Sequence, residues 1–196
     1  MISGLNYAQT VCDRRRRILE VWNSTRASRS APVRTAINPG MFADALSDIS
    51  LIDRGQDGAF RYRLAGSRIC DRIQRELRGV KLTDLNGEDR ALLWPLAAGD
   101  AICPFTPLTG RRWLSQEELH IWLRLPVSSD GEAIDMVLGF DRFIQQRRSF
   151  NSIETRDEVH DLTDHLSKVH NRAKRPEEPR NTQKTSSSPR NNDVAA

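Results

Sequence analysis

Residues 117–125 read Glu-Glu-Leu-His-Ile-Trp-Leu-Arg-Leu, and this stretch decides the fold class of the chain. From Leu119 onward every second residue is leucine or isoleucine, so one side of the segment is apolar. The other side carries His120, Trp122 and Arg124. Alternation with a period of two predicts a β-strand that buries its apolar side.

Neighbouring segments predict further antiparallel strands. After the turn signal Asp130-Gly131, residues 133–141 return with alternate apolar residues facing inward. Earlier in the chain, residues 49–54 and 60–64 flank a second turn signal, Asp57-Gly58. Residues 102–108 are apolar but contain two prolines, which restricts them to an edge strand.

Helical periodicity predicts the remaining elements. One narrow apolar stripe runs along residues 7–29 and consists of Tyr7, Val11, Ile18 and Trp22. Short helices are predicted after Asn38-Pro39, within residues 66–79 and within residues 88–98. Heptad-like spacing of apolar residues predicts a last helix near the C-terminus. Strands grouped with helices on one side predict an α+β layer fold.

The predicted organisation has four parts. Residues 1–34 form an N-terminal flanking helix and linker, and residues 35–145 form the folded domain. Residues 150–172 form a C-terminal amphipathic helix. Residues 173–196 are rich in proline, serine, asparagine and charge, so we expect a disordered tail.

The composition is that of a soluble protein with one folded domain. The chain has 196 residues, is 38% hydrophobic and 29% charged, and has no apolar run long enough to span a bilayer. Its start lacks the apolar core of a secretory signal, so we expect a cytoplasmic protein whose cysteines, Cys12, Cys70 and Cys103, are ordinary thiols. The net charge is +4, and residues 11–34 alone hold seven arginines against two acids, which is +5.

The order of the predicted elements resembles the PAS fold, in which two strands, a run of short helices and three more strands form one five-stranded antiparallel sheet. The chain is similar to a group of small bacterial, largely alphaproteobacterial, proteins built around a single divergent PAS domain. The resemblance covers about residues 22–142. It is carried by Trp22 with Arg26, Pro32 with Arg34, Asp48 to Asp53, Phe60 to Gly66, Gly79, Leu82, Leu85 and Leu125-Pro126. It implies sensing or docking, with no particular ligand or output.

A PAS sheet can enclose a small pocket against its short helices. The residues predicted to line that pocket are Leu51, Tyr62, Leu64, Ile69, Ile73, Leu96, Ile121, Leu123, Leu138 and Phe140. Pockets for small molecules are mostly apolar, as this set is. The same residues also suffice for a solid core, and the sequence leaves both interpretations open.

The opposite face of the sheet predicts a contact surface. An exposed tryptophan with apolar neighbours is typical of such surfaces. We expect the stripe of the first helix to pack over Trp122, in the same subunit or in a dimer mate. The predicted partner or dimer surface is Val11, Ile18, Trp22, Trp122 and Val137.

The resemblance also allows two cofactor schemes to be compared with the sequence. Flavin photosensors of this fold carry a Gly-x-Asn-Cys-Arg-Phe-Leu-Gln run, whereas residues 66–79 contain Cys70 without that pattern. Haem sensors of this fold use an axial histidine, and residues 61–119 contain none. His120 is predicted to point away from the pocket. We therefore predict neither flavin nor haem.

Motifs for catalysis are missing from the sequence. There is no nucleophile elbow, P-loop, HExxH zinc motif or dinucleotide fingerprint, so we predict no enzymatic activity, no catalytic residue and no metal site. The predicted function is a PAS-type sensory or regulatory module that contacts a protein partner or a second copy of itself and can hold a small ligand. Two alternatives stay open. One is a nucleic-acid-binding regulator that uses Arg14 to Arg17, and the other is an enzyme with an unrecognised site.

Overall fold

The computed structural model of the protein describes residues 3–93, 106–145 and 158–162. Its helices are α1 (Ser3–Arg26), α2 (Ser67–Ile73) and α3 (Gly87–Leu93), and 3-10 helices span Arg34–Ala36, Pro39–Asp48 and Leu82–Asp84. Its strands are β1 (Ile49–Arg54), β2 (Phe60–Ala65), β3 (Leu108–Trp113), β4 (Glu118–Ser128), β5 (Ile134–Gln145) and β6 (Glu158–Asp161). None of the described helices is both long and apolar enough to cross a membrane.

The strands form one antiparallel sheet in the order β2-β1-β5-β4-β3-β6. The first five strands with the short helices between β2 and β3 make an α+β fold consistent with the PAS fold, so the predicted fold class is confirmed. The long hairpin of β4 and β5 lies at the centre, with Leu123 opposite Phe140 and Leu125 opposite Leu138. Of the edge strand predicted over residues 102–108, only residues 106–108 are among those described, and β3 begins at Leu108, after the second proline.

The sixth strand corrects the prediction of a C-terminal helix. Residues Glu158–Asp161 pair antiparallel with the outer edge of β3, and the amide of Leu162 donates to the carbonyl of Pro107 at 2.9 Å. A helix of about two heptads is marginal in water by itself, whereas an open sheet edge offers a row of unpaired backbone groups. The rest of the predicted helix and the 173–196 tail lie outside the described residues.

One face of the sheet, here called the α1 face, is covered by α1 and the Pro39–Asp48 helix. Three residues of the apolar stripe of α1, Val11, Ile18 and Trp22, are buried there in one cluster with the alternating leucines of β4. The indole Nε1 of Trp22 donates to the carbonyl of Pro126 at 2.6 Å. This bond satisfies a polar group that burial would otherwise leave without a partner.

The other face, here called the short-helix face, is covered by the segments between β2 and β3. Ile52, Tyr62 and Val137 of the sheet form a second cluster there with apolar residues that follow β2. These residues are Ile69, Ile73, Leu77, Leu82, Leu85 and Leu93, of which Leu77 and Leu85 lie in loops. The sheet is therefore buried on both sides, which explains why ten of the eleven residues of β4 are buried.

Gly66 is required where β2 turns into α2. A Cβ atom at this position would lie 2.4 Å from the backbone of Leu46 and Ser47. The amide of Gly66 donates to the carbonyl of Ile49 at 2.7 Å, which holds this turn against the start of β1. Only a residue without a side chain allows the two backbones to come this close.

Candidate functional site

A buried polar cluster lies on the short-helix face, in the middle of the β4–β5 hairpin. It consists of His120 and Arg124 from β4 and Asp141 from β5, with Trp122 beside them. These positions follow from the pleat, because alternate residues of β4 face the short helices while the leucines between them face α1. The four side chains are at most 6% exposed.

Asp141 joins the cluster through a single oxygen. Its Oδ1 lies 2.9 Å from Nε2 of His120 and 2.7 Å from Nη2 of Arg124. The carboxylate can only accept, so Nε2 of His120 carries the proton and donates it. The other ring nitrogen, Nδ1, is then an acceptor, and it is buried with no hydrogen-bond partner among the described residues.

Arg124 connects the sheet to the last turn of α3. Its Nη1 donates to the carbonyls of Leu123 and Phe140 at 2.8 and 3.1 Å, and its Nη2 also donates to the carbonyl of Leu93. From β3, Arg112 donates to the carbonyl of Ala91 at 2.8 Å. Guanidinium groups at a helix C-terminus satisfy its free carbonyls. Two arginines of the sheet thus hold the end of α3.

Burial and charge fix the protonation states in the cluster. Burial opposes ionisation of Asp141, but the positive charge of Arg124 and the hydrogen bond from His120 outweigh it and hold the pKa of Asp141 below its usual value. Burial lowers the pKa of His120, and Arg124 and Arg112 lower it further against the opposing effect of Asp141. The cluster therefore holds a neutral imidazole beside an ionised Asp141–Arg124 pair.

Aromatic rings and a glycine shape the space around these polar groups. The imidazole of His120 stacks on Phe143 with centroids 4.5 Å apart, and the guanidinium of Arg124 lies 5.6 Å from the ring centre of Trp122. At Gly139, opposite Arg124, a Cβ atom would lie 2.3 Å from Oγ of Ser50 and 3.5 Å from Nη1 of Arg124. A side chain at Gly139 would crowd the route by which Arg124 reaches the carbonyl of Phe140.

The predicted pocket residues are split between the two faces. Ile121, Leu123 and Phe140 pack under α1, so their assignment to a pocket beneath the short helices is wrong. Three other residues lie on the short-helix face, namely Tyr62, Ile69 and Ile73. Three more line a cavity on the α1 face, namely Leu51, Leu64 and Leu138. Leu96 lies outside the described residues.

The predicted partner surface is likewise divided. Val11, Ile18 and Trp22 are buried against the leucines of the chain's own sheet, whereas Trp122 and Val137 lie on the opposite face. The expectation that α1 covers Trp122 is therefore wrong. It failed because the alternation of β4 gives two faces without saying which helical layer covers each, and the longer apolar stripe matched the more apolar face. His120 consequently lies on the side of the short helices and not away from them.

The cavity on the α1 face has a volume of about 190 Å³ and lies between the Pro39–Asp48 helix and the β1–β2 edge of the sheet. Eight of its lining residues are apolar and two are polar. The lining comprises Arg34, Thr35, Ile37, Pro39, Phe42, Leu46, Ile49, Leu51, Leu64 and Leu138.

A second set of buried charges ties the Pro39–Asp48 helix to both its neighbours. Asp48 is fully buried and pairs with Nη1 of Arg142 at 3.1 Å and with Nη1 of Arg68 at 3.0 Å. These partners come from β5 and α2. In the middle of the same helix, the exposed Asp44 pairs with Arg14 and Arg17 of α1. A shift of this helix would therefore displace or break ion pairs to α1, to α2 and to the central hairpin.

The sequence did not predict the polar cluster as a unit, although it contained a signal. His120 and Arg124 interrupt an otherwise apolar strand, and Asp141 sits in the middle of the next one. Pairing the two strands across the Asp130-Gly131 turn would have brought Asp141 opposite Trp122, between them. Within the described residues, no group of three or more histidine, cysteine or acidic side chains is placed to hold a metal ion.

Residues 12–96 match the family model of the PAS domain. The match begins in α1 and ends just beyond α3, so it includes β1, β2 and the short helices, while β3 to β5 complete the sheet outside it. Comparisons with the curated proteins and with the solved structures gave no match. The family match and the fold support a PAS-domain protein. PAS domains are generally sensory modules without catalytic activity, and they commonly bind small ligands or mediate protein contacts.

Proposed function

We propose that this protein is a bacterial, non-enzymatic sensory or regulatory module that acts in the cytoplasm through contacts with another protein. The observation that carries the proposal is the double cover of the β4–β5 hairpin. Leu123 contacts the layer under α1, and the next residue, Arg124, binds the end of α3. Adjacent residues of one strand therefore contact the short helices on one face and the α1 layer on the other. A structural change on the short-helix face can reach α1 through these two residues.

The flanking helix is suited to pass such a change to a partner. It is held by a narrow apolar stripe, by hydrogen bonds from Trp22 to Pro126 and from Arg15 to Thr109, and by exposed ion pairs from Arg14 and Arg17 to Asp44. Exposed ion pairs contribute little stability, so the stripe and the two hydrogen bonds to the sheet dominate the docking. A ligand or partner that prefers one position of α1 would shift the balance between docked and released states.

Any partner, including a second copy, has to use a surface other than the apolar stripe. Val11, Ile18 and Trp22 are at most 2% exposed within the single chain, so they offer nothing to a dimer mate while α1 is docked. We propose that the partner contacts the charged outer side of α1, or the stripe itself once α1 is released.

The test compares the wild-type protein with Trp22→Phe, which keeps an aromatic ring in the stripe but removes the donor to Pro126. Hydrogen exchange by mass spectrometry should show a larger increase of the exchange rate in α1 of the variant than in the β4–β5 hairpin. Proteins captured by tagged wild-type chain in a native host should change in amount with the variant. Arg29→Gln is the matched control, since Arg29 is exposed and its side chain makes no hydrogen bond or ion pair among the described residues.

Two results would contradict the proposal. One is α1 exchange and captured partners that are identical in the wild type and Trp22→Phe. The other is steady consumption of a metabolite by the purified protein that is lost in Asp141→Asn, because that would make the polar cluster an active site.

The observations do not favour the nucleic-acid alternative. Each arginine of the Arg14 to Arg17 run has a partner within the chain: Asp44 for Arg14 and Arg17, Thr109 for Arg15 and Asp13 for Arg16. Nucleic-acid binding would use these groups on phosphates and would weaken steeply with salt.

A further inference from the structure

The cavity on the α1 face has the composition of a small-molecule site. Eight of its ten lining residues are apolar, and the polar pair, Arg34 and Thr35, are neighbours in one short helix at its edge. Sites for small molecules are mostly apolar, with a few polar groups that fix the orientation of the ligand. This cavity is on the opposite side of the sheet from the short helices, so it is distinct from the polar cluster around Asp141.

The apolar residues around the mouth of the cavity are unusually exposed. Leu46 and Leu64 line it and are 42% and 43% exposed, and Met41 in the same helix as Leu46 is 49% exposed. These are the large hydrophobic side chains with high exposure among the described residues, and they come from the Pro39–Asp48 helix and β2. Apolar exposure that is concentrated at one concave place is typical of a binding site.

Among the described residues that line the cavity, Arg34 alone is charged. It is exposed, and its side chain makes no hydrogen bond or ion pair within the part of the chain that the structure describes. Asp44, in the helix that lines the cavity, is already paired with Arg14. A free guanidinium beside an apolar cavity favours a ligand with an apolar body and a carboxylate, which it can bind through two parallel hydrogen bonds.

We propose that this cavity binds a small amphipathic carboxylate, with its apolar body between the Pro39–Asp48 helix and β1–β2 and its carboxylate on Arg34. The size follows from the volume. An engineered apolar cavity of about 150 Å³ in another protein holds benzene, so about 190 Å³ suits one aromatic ring or a chain of comparable bulk. Phenylacetate and hexanoate are the simplest compounds of this class.

A ligand in this cavity would contact the helix that is paired with α1. Phe42 lines it from a kink in the Pro39–Asp48 helix, and Asp44 of the same helix pairs with α1. A ligand against Phe42 would fix this helix and with it the docking of α1. This link rests on the function proposed above, whereas binding itself does not depend on that proposal.

The experiment measures binding of phenylacetate and hexanoate to the full chain by isothermal titration and ligand-observed NMR. Their neutral amides serve as matched compounds. We expect dissociation constants of about 1 mM or tighter for the acids. The amides should bind roughly tenfold more weakly, because hydrogen bonds between charged groups are about twice as strong as neutral ones.

Three variants locate the site. Arg34→Gln should remove the preference for acid over amide and leave the thermal midpoint unchanged, since Arg34 is exposed and makes no described side-chain bond. Arg29→Gln removes the same charge five residues away, outside the lining, and should keep the preference. Leu64→Trp should fill the mouth and weaken acid and amide alike. Circular dichroism checks that each variant is folded.

The proposal would be overturned by equal binding of acid and amide, by a preference that survives Arg34→Gln, or by no binding of either acid at millimolar concentration. It would also be overturned if light scattering showed a dimer that Leu64→Trp dissociates and the acids did not bind, because a second copy would then cover the cavity. Hydrogen exchange of α1 with phenylacetate separates the two proposals. Binding that leaves α1 exchange unchanged supports the site and contradicts only its link to signalling.

Discussion

Replacing Asp141 by asparagine removes the one negative charge of the polar cluster and leaves Arg124 buried. The side chain of Arg124 is 6% exposed and that of Asp141 is 2% exposed. Removing one partner of a buried ion pair lowers the free energy of unfolding by about 3–5 kcal/mol. Arg124 keeps three backbone carbonyl acceptors, and asparagine can still accept one hydrogen bond, so we expect the lower end, about 3 kcal/mol. For a chain of this size that corresponds to a fall in the thermal midpoint of about 6–12 °C.

The free energy of unfolding is measured by urea denaturation, followed by tryptophan fluorescence because Trp22 and Trp122 are both buried. Asp71→Asn is the matched control, since Asp71 is exposed and its side chain makes no described bond, and it should stay within about 0.5 kcal/mol of the wild type. The double variant Arg124→Met/Asp141→Asn should cost at least about 1 kcal/mol less than the sum of the single variants. A loss below about 1 kcal/mol for Asp141→Asn, or strict additivity, would refute this account of the cluster.

Three further outcomes follow from the described contacts. His120→Gln should flatten the pH dependence of stability as the pH falls below about 6.5, the ordinary pKa of histidine. Because burial lowers the pKa of His120, the unfolded chain binds a proton there more readily than the folded protein, so wild-type stability falls with falling pH by up to about 1.4 kcal/mol per unit. Parallel curves for the two proteins would contradict this. Gly66→Ala should cost about 1–3 kcal/mol in urea melts because its Cβ meets backbone, whereas Gly87→Ala, with nothing within 4 Å, should be nearly neutral. Trp22→Phe should cost about 1–2 kcal/mol, from the lost bond to Pro126 and the unsatisfied carbonyl, and an unchanged melting curve would remove that bond from the docking of α1.

Much of the local structure was predictable because it depends on neighbours in the sequence. The alternation at 119–125 gave β4, the Asp-Gly pairs gave both hairpins, and Asn38-Pro39 marked the start of a 3-10 helix in which the Asn38 side chain accepts from the amide of Gly40. Val11, Ile18 and Trp22 of the α1 stripe are also buried, as their spacing predicts. The failure at residues 158–161 has the same origin, since heptad spacing over two repeats cannot compete with an open sheet edge.

The chain's own pattern determined which residues alternate, and hence that β4 carries a leucine side and a side with His120, Trp122 and Arg124. Only the tertiary structure decided which helices cover each side. That choice depends on contacts between segments far apart in sequence, such as Trp22 with Pro126 and Leu93 with Arg124. A period of two in the sequence shows that a strand has two faces, but it does not show which helix covers each face. Both faces have the same period, so the pattern is compatible with either helical layer on either face.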